Sequence, residues 1–469
     1  MLTYDLNKRG TVPLYDYLYQ CIRNDIITGN LHAGDRLPSK RMLAQHLSIG
    51  TITVANAYAQ LAVEGYIISK EKQGYFVEDV SNYKLRSKPA HTPLPEKPER
   101  EYFADFKANR ISVKNFPLAT WTRLMRETLS LQNDELLKTV PYNGVYELRK
   151  AIATYLAHNR AMNVDPAQII IGAGTEYLYS RLLQMFGPAY TFAIEDPGYK
   201  KFASISASFG NPWKYIPIDD NGLLIDKLEE SGADVVHISP ANHFPTGIVM
   251  PVTRRLELFE WVNRIRKRYI IEDDYDSEFR YNGRFILPLY AQDTQNRVIY
   301  INTFSKSLVP SLRISYMVLP PKLLTRYAET MSFYSCTVSS FEQYTLARFI
   351  DAGYFERHIN KMKNYYREQR SKILAAIHAS PLAQISEITE RNAGTHFLLH
   401  IRTNMSQAEV REKALAQDMS LSFYSDYSYE KSTTADCTLV INYAAIAEEK
   451  IIAVVDRLWQ IFAQENQKN

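Results

Sequence analysis

The first 80 residues carry two hydrophobic periods, one typical of helices and one typical of strands. Apolar side chains recur at helical spacing in three stretches, residues 14–26, 42–47 and 54–61. Residues 66–78 instead alternate around a polar middle that contains Gly74, as the two strands of a hairpin would. The order helix, short helix, turn, helix and hairpin predicts a winged helix-turn-helix.

The rest of the chain alternates short apolar runs with helical stretches, which predicts an α/β domain with a mostly parallel sheet. Five of these runs end abruptly in Gly, Pro, Asp, Ser or Thr. Ligands of doubly wound sheets bind beyond the carboxyl ends of the strands, so these polar ends predict one shared site. The five segments are QIIIGAGT, YTFAIEDPGY, DVVHISP, YIIEDDYD and RVIYINTFSK.

Prolines among charged residues mark a break in composition within residues 81–100. Proline at this density resists helix and sheet, so we expect an extended linker at residues 81–104. This linker separates a domain at residues 1–80 from a much larger part of the chain. A proline-rich surface loop inside one domain is the alternative, but the periodicities on the two sides differ.

Composition and charge exclude several classes of protein. The hydrophobic content of 46% suffices for a sizeable core, and the net charge of +4 does not by itself indicate a nucleic-acid-binding protein. Cys21, Cys336 and Cys437 lie far apart without metal-ligand spacing, so we expect no metal site, reduced thiols and a cytoplasmic location. The N-terminus lacks a signal-peptide pattern and no apolar run is long enough to span a bilayer, so we expect no membrane partner.

The segment INTFSKSLVPSLRIS places Lys306 just after a strand-like run, and Arg313 follows seven residues later. An amine at the end of a buried strand is a candidate Schiff-base nucleophile. Thr303 and Ser305 offer hydroxyl groups, and Arg313 offers a planar fork for phosphate oxygens. The set suits an aldehyde cofactor that carries a phosphate, although a lone lysine is more often a solvated surface group.

Two further segments offer what such a cofactor needs. In GAGTEYLYS, Ala173, Gly174 and Thr175 present backbone N–H groups at a helix N-terminus, a natural seat for phosphate. The alternative is a dinucleotide loop, but the third glycine of that motif is missing. In IIEDDYDSEF, Asp273 is the candidate partner of a pyridine nitrogen and Tyr275 that of the ring hydroxyl, with a metal cluster or a plain acidic loop as alternatives.

The segment EDPGY adds Tyr199, whose ring is the candidate stacking partner of the cofactor. With SKSLVPSLR, EDDY and GAGT, the chain from about residue 105 onwards resembles the fold-type I pyridoxal-phosphate enzymes of the aspartate-aminotransferase superfamily. The family's Asn-Pro-x-Gly loop reads FPTG here, so Phe244 replaces the asparagine that bonds the cofactor hydroxyl and leaves Tyr275 as its partner.

This resemblance implies a cofactor and a division of the domain. The cofactor is pyridoxal 5'-phosphate. A large domain at residues 105–344 is expected to contain a doubly wound, mostly parallel sheet, and a smaller α+β subdomain follows at residues 345–469.

Residues 10–78 resemble the GntR-type winged-helix domain through PLYDYL, GNLHAGDRLPSKRMLAQHL, TVANAYAQLAVEGY and GYFV. The two halves together resemble the MocR/GabR transcriptional regulators, which implies binding to double-stranded operator DNA and a head-to-tail homodimer. A helix-turn-helix used for protein contact is the alternative. By resemblance, the DNA contacts come from Ser39, Lys40, Arg41, Thr51, Thr53, Asn56, Gln73 and Gly74.

The charge of this head limits how tightly it binds DNA. Residues 1–80 contain eight Lys or Arg and eight Asp or Glu. The resembling family usually has Ser-Arg where Gly50 and Thr51 stand, so one cationic contact is missing. We therefore expect weak binding by one head and dependence on the two heads of a dimer.

The arginine that binds the substrate carboxylate in the resembling family is missing. Where GABA-responsive relatives read Phe-Ala-Arg, this chain reads Tyr443-Ala444-Ala445, and Lys201 stands where another arginine would. Lysine is the poorer bidentate partner of a carboxylate. We therefore assign no catalytic residue and expect a sensor rather than an enzyme, with Lys201 and His396 as candidate effector contacts.

The resemblance leaves the effector open. The effector either reacts with an aldimine at Lys306 or is pyridoxal 5'-phosphate itself, as in the family's regulators of vitamin B6 synthesis. One alternative is an aminotransferase, active or weakly active, with an appended DNA-binding module. The other is a regulator that responds to an amino acid or another amine.

Overall fold

A computed structural model describes residues 2–80, 100–107, 115–131, 133–281, 286–391, 393–429 and 437–466. The chain divides into two compact units, Met1–Glu99 and Arg100–Asn469. Most of the expected linker, residues 81–99, lies outside the described residues. Within the described ranges, no helix is both long and apolar enough to cross a membrane.

The first unit contains the five elements that the sequence predicts. These are α1 (Leu14–Thr28), α2 (Lys40–His46), α3 (Thr51–Val63), β1 (Ile67–Lys70) and β2 (Gly74–Val77). The two strands pair antiparallel as a hairpin, and the helices enclose a core of aliphatic and aromatic side chains. Apolar side chains recur every three or four residues in these helices because one face of each helix must be buried. The prediction of a winged helix-turn-helix is confirmed.

The second unit is built on three sheets. Its strands are β3 (Ala104–Asp105), β4 (Ile169–Gly172), β5 (Phe192–Asp196), β6 (Trp213–Asp219), β7 (Gly222–Leu223), β8 (Val235–Ile238), β9 (Tyr269–Asp273), β10 (Val298–Thr303), β11 (Ser315–Val318), β12 (Ser386–Thr389), β13 (His396–Ile401), β14 (Met419–Ser420) and β15 (Cys437–Asn442). The largest sheet has eight strands in the order β4-β11-β10-β9-β8-β5-β6-β7. A three-stranded sheet, β12-β13-β15, and the short pair β14-β3 complete the set.

Strand directions in the large sheet bring the polar strand ends to one edge. Strands β10, β9, β8, β5 and β6 are parallel, as predicted. Strand β11 is antiparallel to both β10 and β4, so β4 runs with the parallel set. The carboxyl ends of the five predicted strands therefore lie along one edge, together with the amino end of β11.

Helices cover both faces of this sheet. The helices described in the second unit are α4 (Leu118–Leu131), α5 (Asn133–Leu136), α6 (Tyr146–Arg160), α7 (Thr175–Phe186), α8 (Lys201–Ser208), α9 (Ile225–Glu230), α10 (Val252–Arg264), α11 (Leu289–Gln292), α12 (Phe304–Ser307), α13 (Pro321–Met331), α14 (Ser340–Asp351), α15 (Tyr354–Ala379), α16 (Gln407–Ala416) and α17 (Ile451–Asn466). Side chains alternate along the strands, so Ile271 joins the core under α7 and α13 while Ile270 joins the core under α10. Both faces are buried, which explains the continuous apolar runs in the sequence.

The boundary expected between residues 344 and 345 falls inside α14, which runs without interruption from Ser340 to Asp351. The division into a large domain and a small subdomain therefore stays a prediction. The chain after α14 does form the α+β arrangement that was expected, with α15, α16 and α17 beside the sheet β12-β13-β15.

Candidate cofactor site and DNA-binding surface

A cavity of about 280 Å³ opens at the edge of the large sheet where the parallel strands end. Most of the predicted cofactor residues line it, although they come from distant segments of the chain. This follows from the strand order, because each strand end delivers its polar residues to the same edge. The predicted residues in the lining are Thr175, Tyr199, Asp273, Tyr275, Thr303, Ser305, Lys306 and Arg313.

Lys306 lies in the short helix α12, directly after β10. The hydroxyl of Thr303 caps this helix by accepting a hydrogen bond from the backbone N–H of Ser305 at 3.1 Å. Burial lowers the pKa of the Lys306 amine, and the nearby carboxylate of Asp276 partly opposes that effect. The lowered pKa leaves more of the amine unprotonated at neutral pH, and the unprotonated amine is the nucleophilic form.

Asp273 and Tyr275 extend from the end of β9 into the same cavity. Asp273 Oδ2 lies 3.6 Å from Nε2 of His237, a residue of β8. Burial and the surrounding carboxylates, first among them Asp276, raise the pKa of the Tyr275 phenol well above its usual value. Tyr275 therefore stays neutral and keeps a proton that it can donate.

Arg313 and the GAGT turn pack directly against each other. Arg313 adopts a left-handed backbone conformation with φ +51°, which is uncommon for a residue that has a Cβ. Gly174 has φ +98°, and a Cβ on it would lie 2.4 Å from a guanidinium nitrogen of Arg313. Only glycine leaves room for the guanidinium at this place. Ala173 is not in the cavity lining, and its N–H donates to Thr337 Oγ1 at 3.3 Å.

The two predicted effector contacts, Lys201 and His396, are not among the lining residues of the cavity, and their role stays a prediction. The Lys201 amine lies 2.5 Å from Oε1 of Glu176, so an ion pair holds it. His396 is buried, and its Nε2 donates to the carbonyl of Pro245 at 3.1 Å. Burial lowers the pKa of His396 to about 4, so it is a neutral core histidine.

Asn242 and Asp276 form a buried pair beside Lys306 that the sequence analysis missed. The Asn242 amide donates to both oxygens of Asp276 at 2.9 Å and lies 3.4 Å from the hydroxyl of Tyr275. Burial raises the pKa of Asp276 to about 7, although Asn242 and Lys306 favour its charged form. The sequence contained a signal, since Asn242 stands two residues before Phe244, which occupies the position of the missing asparagine.

Glu195 and His243 were also missed. Glu195, at the end of β5, lines the cavity and accepts a hydrogen bond from the N–H of Ser239 at 3.0 Å. Burial, helped by the charge of Asp273, raises the pKa of Glu195 to about 8. Its Oε2 lies 3.6 Å from Nε2 of His243, whose pKa burial lowers to about 3. Both side chains are therefore neutral at neutral pH.

The remaining cavity wall comes from segments with no recognisable motif. Phe106 and Lys107 follow β3, and Tyr427 and Asn442 lie near and in the C-terminal sheet. Lys107 Nζ lies 3.9 Å from Asp426, so this cation is partly compensated. Among the lining residues that the structure describes, the cations are Lys107, Lys306 and Arg313. Ala445 lies in a 3₁₀ turn that follows β15 and brings no cation.

In the first unit, most of the residues predicted to contact DNA are exposed on α2, α3 and the hairpin. Arg41, Thr51, Asn56 and Gln73 are exposed, and Thr53 is half-buried. The Ser39 hydroxyl caps α2 by accepting from the N–H of Met42 at 3.2 Å.

The other predicted cation on α2 and an unpredicted arginine both lie against the hairpin. Lys40 Nζ lies over the ring of Tyr75, 5.0 Å from its centroid. Gly74 has φ +110°, and a Cβ on it would lie 3.6 Å from Nε of Arg36. Arg36 is an exposed cation that the motif comparison did not single out. Arg36 and Lys40 therefore supply positive charge on the side of the head that carries Gly74.

Comparison with known proteins agrees with both parts of this geometry. Residues 14–77 match the family "Bacterial regulatory proteins, gntR family", and residues 105–465 match "Aminotransferase class I and II". The HTH-type transcriptional regulator YdeL of Bacillus subtilis is 37% identical over 97% of this chain and 99% of its own length. The probable rhizopine catabolism regulatory protein MocR of Rhizobium meliloti is 29% identical over 89% and 87%. The chain belongs to the MocR-type transcriptional regulators.

A further relative agrees with this family assignment, and a solved structure agrees with the fold of the second unit. The pyridoxine biosynthesis regulator PdxR of Corynebacterium glutamicum is 28% identical over 84% of each chain. The multiple substrate aminotransferase of Thermococcus profundus superposes with a TM-score of 0.69 and 24% identity, over 82% of this chain and 98% of its own. That superposition establishes the fold of the second unit, which is the fold-type I architecture predicted.

Pyridoxal 5'-phosphate is the cofactor of this aminotransferase-like domain, and two buried atoms show that the cavity fits it. Within the described ranges, Oγ of Ser305 and Oδ1 of Asp273 find no hydrogen-bond partner. Buried polar atoms are usually paired, so both atoms are available to a polar group of a bound molecule. A phosphate oxygen suits the hydroxyl of Ser305, and a protonated pyridine nitrogen suits the carboxylate of Asp273.

Proposed function

We propose that this MocR-type regulator binds pyridoxal 5'-phosphate through Lys306 and uses the loaded cavity to sense a small molecule. The observation that carries the proposal is the amine of Lys306, which lines one cavity together with Asp273 and Arg313. Its lowered pKa would make Nζ the nucleophile that holds the cofactor through its aldehyde group. Operator affinity then depends on what occupies the cavity.

The other lining residues have distinct proposed roles. Asp273 holds the pyridine nitrogen in its protonated form, and Tyr275 donates to the ring hydroxyl, with Asn242 placed to orient the phenol. Tyr199 covers the ring face. In this proposal the phosphate is bound by Arg313 together with the hydroxyl groups of Thr175, Thr303 and Ser305, which line the cavity.

The charge of the cavity supports a sensor over an amino-acid aminotransferase. Among the described lining residues the arginine is Arg313, and in this proposal its guanidinium group already binds the cofactor phosphate. Ala445 stands where a substrate-binding arginine is expected, and Lys201 is paired with Glu176. The carboxylate of an α-amino acid would therefore have to bind Lys107, which already lies close to the carboxylate of Asp426. The proposed effector is either pyridoxal 5'-phosphate itself or an amine without a strongly held carboxylate. The relative PdxR, which is named a regulator of pyridoxine biosynthesis, favours the first.

Titration of the purified chain with pyridoxal 5'-phosphate tests this proposal. Wild type should gain a near-ultraviolet or visible absorbance band, and borohydride should fix the label on Lys306 in a peptide map. The Lys306→Ala variant should lose both signals, while Lys214→Ala, which removes an exposed lysine of β6, should retain them. Operator affinity in gel shifts should change on addition of the cofactor in wild type and not in Lys306→Ala.

The results of that titration separate the versions of the proposal. A label on another lysine, or no band at all, would refute attachment at Lys306. An affinity change with the cofactor alone identifies pyridoxal 5'-phosphate as the effector. If affinity changes only after a further amine is added, that amine is the effector.

An aminotransferase with an appended DNA-binding module is the second candidate. The observation that favours it is Lys306 itself, because a free amine beside a bound substrate can carry a proton as a general base. Amine transfer over many turnovers, measured with common amino acids and an oxo acid, would support this function. A single turnover that stops after one equivalent would instead support the sensor.

We also propose that two chains form a head-to-tail homodimer, so that two heads reach two half-sites. The balanced charge of residues 1–80 supports this, because one head alone offers little net attraction to DNA. Sedimentation at micromolar concentration should give twice the chain mass. Operators with a single half-site should bind much more weakly than those with two.

A further inference from the structure

The helix α3 of the DNA-binding head is unusual in containing no charged residue. Its sequence is TITVANAYAQLAV, from Thr51 to Val63. Val54, Ala57, Tyr58 and Leu61 are buried in the core of the head. In a helix-turn-helix, the second helix lies in the major groove with its N-terminal residues at the base edges. Any base reading by α3 must therefore use uncharged side chains.

Two of these side chains share the exposed face at the start of the helix. Ile52 is 76% exposed, and Asn56 is exposed four residues later, one helical turn along the same face. When an apolar surface covers an isoleucine this exposed, its removal from water lowers the free energy of the complex. The amide of Asn56 offers a donor and an acceptor side by side.

The major groove offers a matching partner for each. The thymine methyl group is the apolar feature of that groove, and adenine presents the acceptor and donor that an asparagine amide binds in pairs. Guanine is read mainly by arginine or lysine, and α3 contains neither. The cations of the head, among them Arg36, Lys40 and Arg41, lie outside α3, where phosphate contact is their ordinary role.

We infer that α3 reads A·T base pairs, with Ile52 against a thymine methyl group and Asn56 on an adenine. The inference rests on the DNA binding proposed above and adds the chemistry of its specificity. Each half-site of the operator then contains a thymine and an adenine at the positions under the start of α3.

Removal of single methyl groups from the DNA provides the test. The full-length chain first selects binding sites from a random duplex library, and each thymine in the selected site is then replaced by uracil, which lacks only the 5-methyl group. One replacement in one half-site should weaken wild-type binding about fourfold, the effect of one lost methyl contact. The same replacement should not weaken Ile52→Ala further, because that variant has already lost the contact.

Matched variants separate specificity from general affinity. Val63 is 84% exposed at the other end of α3, so Val63→Ala should retain the uracil effect. Asn56→Ala should lose the preference for adenine at one position. The inference would be overturned if the uracil replacements had no effect, or if the selected half-sites had G·C pairs at the positions under α3. DNA binding itself would stand in both cases. Failure to select any site would instead overturn DNA binding itself.

Discussion

The interior of the DNA-binding head consists of aliphatic and aromatic side chains, whereas the cofactor domain buries several ionisable ones. Among the described residues of the head, no charged side chain is buried. The cofactor domain encloses Arg160, Glu195, Glu272, Asp274 and Asp276 at 5% exposure or less. The head can keep an apolar core because DNA is bound from outside. Glu195, one of these buried residues, lines the cofactor cavity itself.

Buried charges are stable only when they are compensated. Arg160 Nη2 lies 3.0 Å from Asp274, which also accepts a hydrogen bond from the hydroxyl of Tyr300 at 2.6 Å. Glu272 is held by the N–H groups of Leu289 and Tyr290. Function and stability are therefore coupled in the cofactor domain and separable in the head. Four predictions test that difference, in order of decreasing effect.

The largest effect is expected from Arg160→Leu. The substitution leaves Asp274 buried without its counter-charge, which should lower the free energy of unfolding by about 3–5 kcal/mol. Urea denaturation followed by a signal from the cofactor domain measures this loss. Arg266→Leu, which removes an exposed arginine, should change it by less than about 0.5 kcal/mol. Equal stability of the two variants would contradict the role given to the buried pair.

A pH-dependent effect is expected from Glu195→Gln. Burial raises the pKa of Glu195 from 4.5 to about 8 in the folded chain, so the folded state holds a proton that the unfolded state has lost. This contribution to stability is complete below pH 4.5 and disappears as the pH rises through 8.

Glutamine does not titrate, so the variant should gain stability relative to wild type as the pH rises from 5 to 8. The expected gain is on the order of 2–4 kcal/mol. Urea titrations of the cofactor-free chain at several pH values measure it. Glu260→Gln, at an exposed carboxylate, should give a curve parallel to that of wild type. A parallel curve for Glu195→Gln would contradict the raised pKa.

A smaller and purely functional effect is expected from Arg41→Ala. Loss of one phosphate contact should weaken operator binding about tenfold and reduce the salt dependence by about one unit of slope. The unfolding free energy should stay within about 0.5 kcal/mol of wild type, because Arg41 is exposed. Gel shifts at two salt concentrations measure the first effect, with Lys8→Ala as the control. Unchanged affinity would refute the assignment of Arg41 to DNA.

The smallest effect is expected at Ser39, where stability and DNA contact meet in one side chain. Ser39→Ala removes the cap of α2 and should cost about 1 kcal/mol of head stability. Ser39→Asp should restore the cap and the stability but weaken operator binding through its negative charge. If Asp leaves binding unchanged, Ser39 is a cap alone and does not face DNA.

Local patterns in the sequence predicted the elements of both units and much of the cavity. The helical repeat at Leu18, Ile22 and Ile26 predicts α1 because one helix face must be buried. Lys306 and Arg313 both line the cavity, as their spacing predicted. They lie between β10 and β11, which follow one another closely in the chain. Each polar strand end reached the predicted edge because parallel strands of one sheet must end together.

Long-range packing decided the rest, and no local pattern contains it. Asn242 meets Asp276 across 34 positions of the chain, and Lys107 reaches the cavity from the first strand of its unit. The contacts of Lys201 with Glu176 and of His396 with Pro245 likewise join distant segments. The sequence by itself determined which residues are able to hold an aldehyde, a pyridine and a phosphate, since side-chain chemistry and spacing are local. Only the tertiary structure decided which of them are buried together and at what pKa, because exclusion of water depends on every segment that closes the cavity.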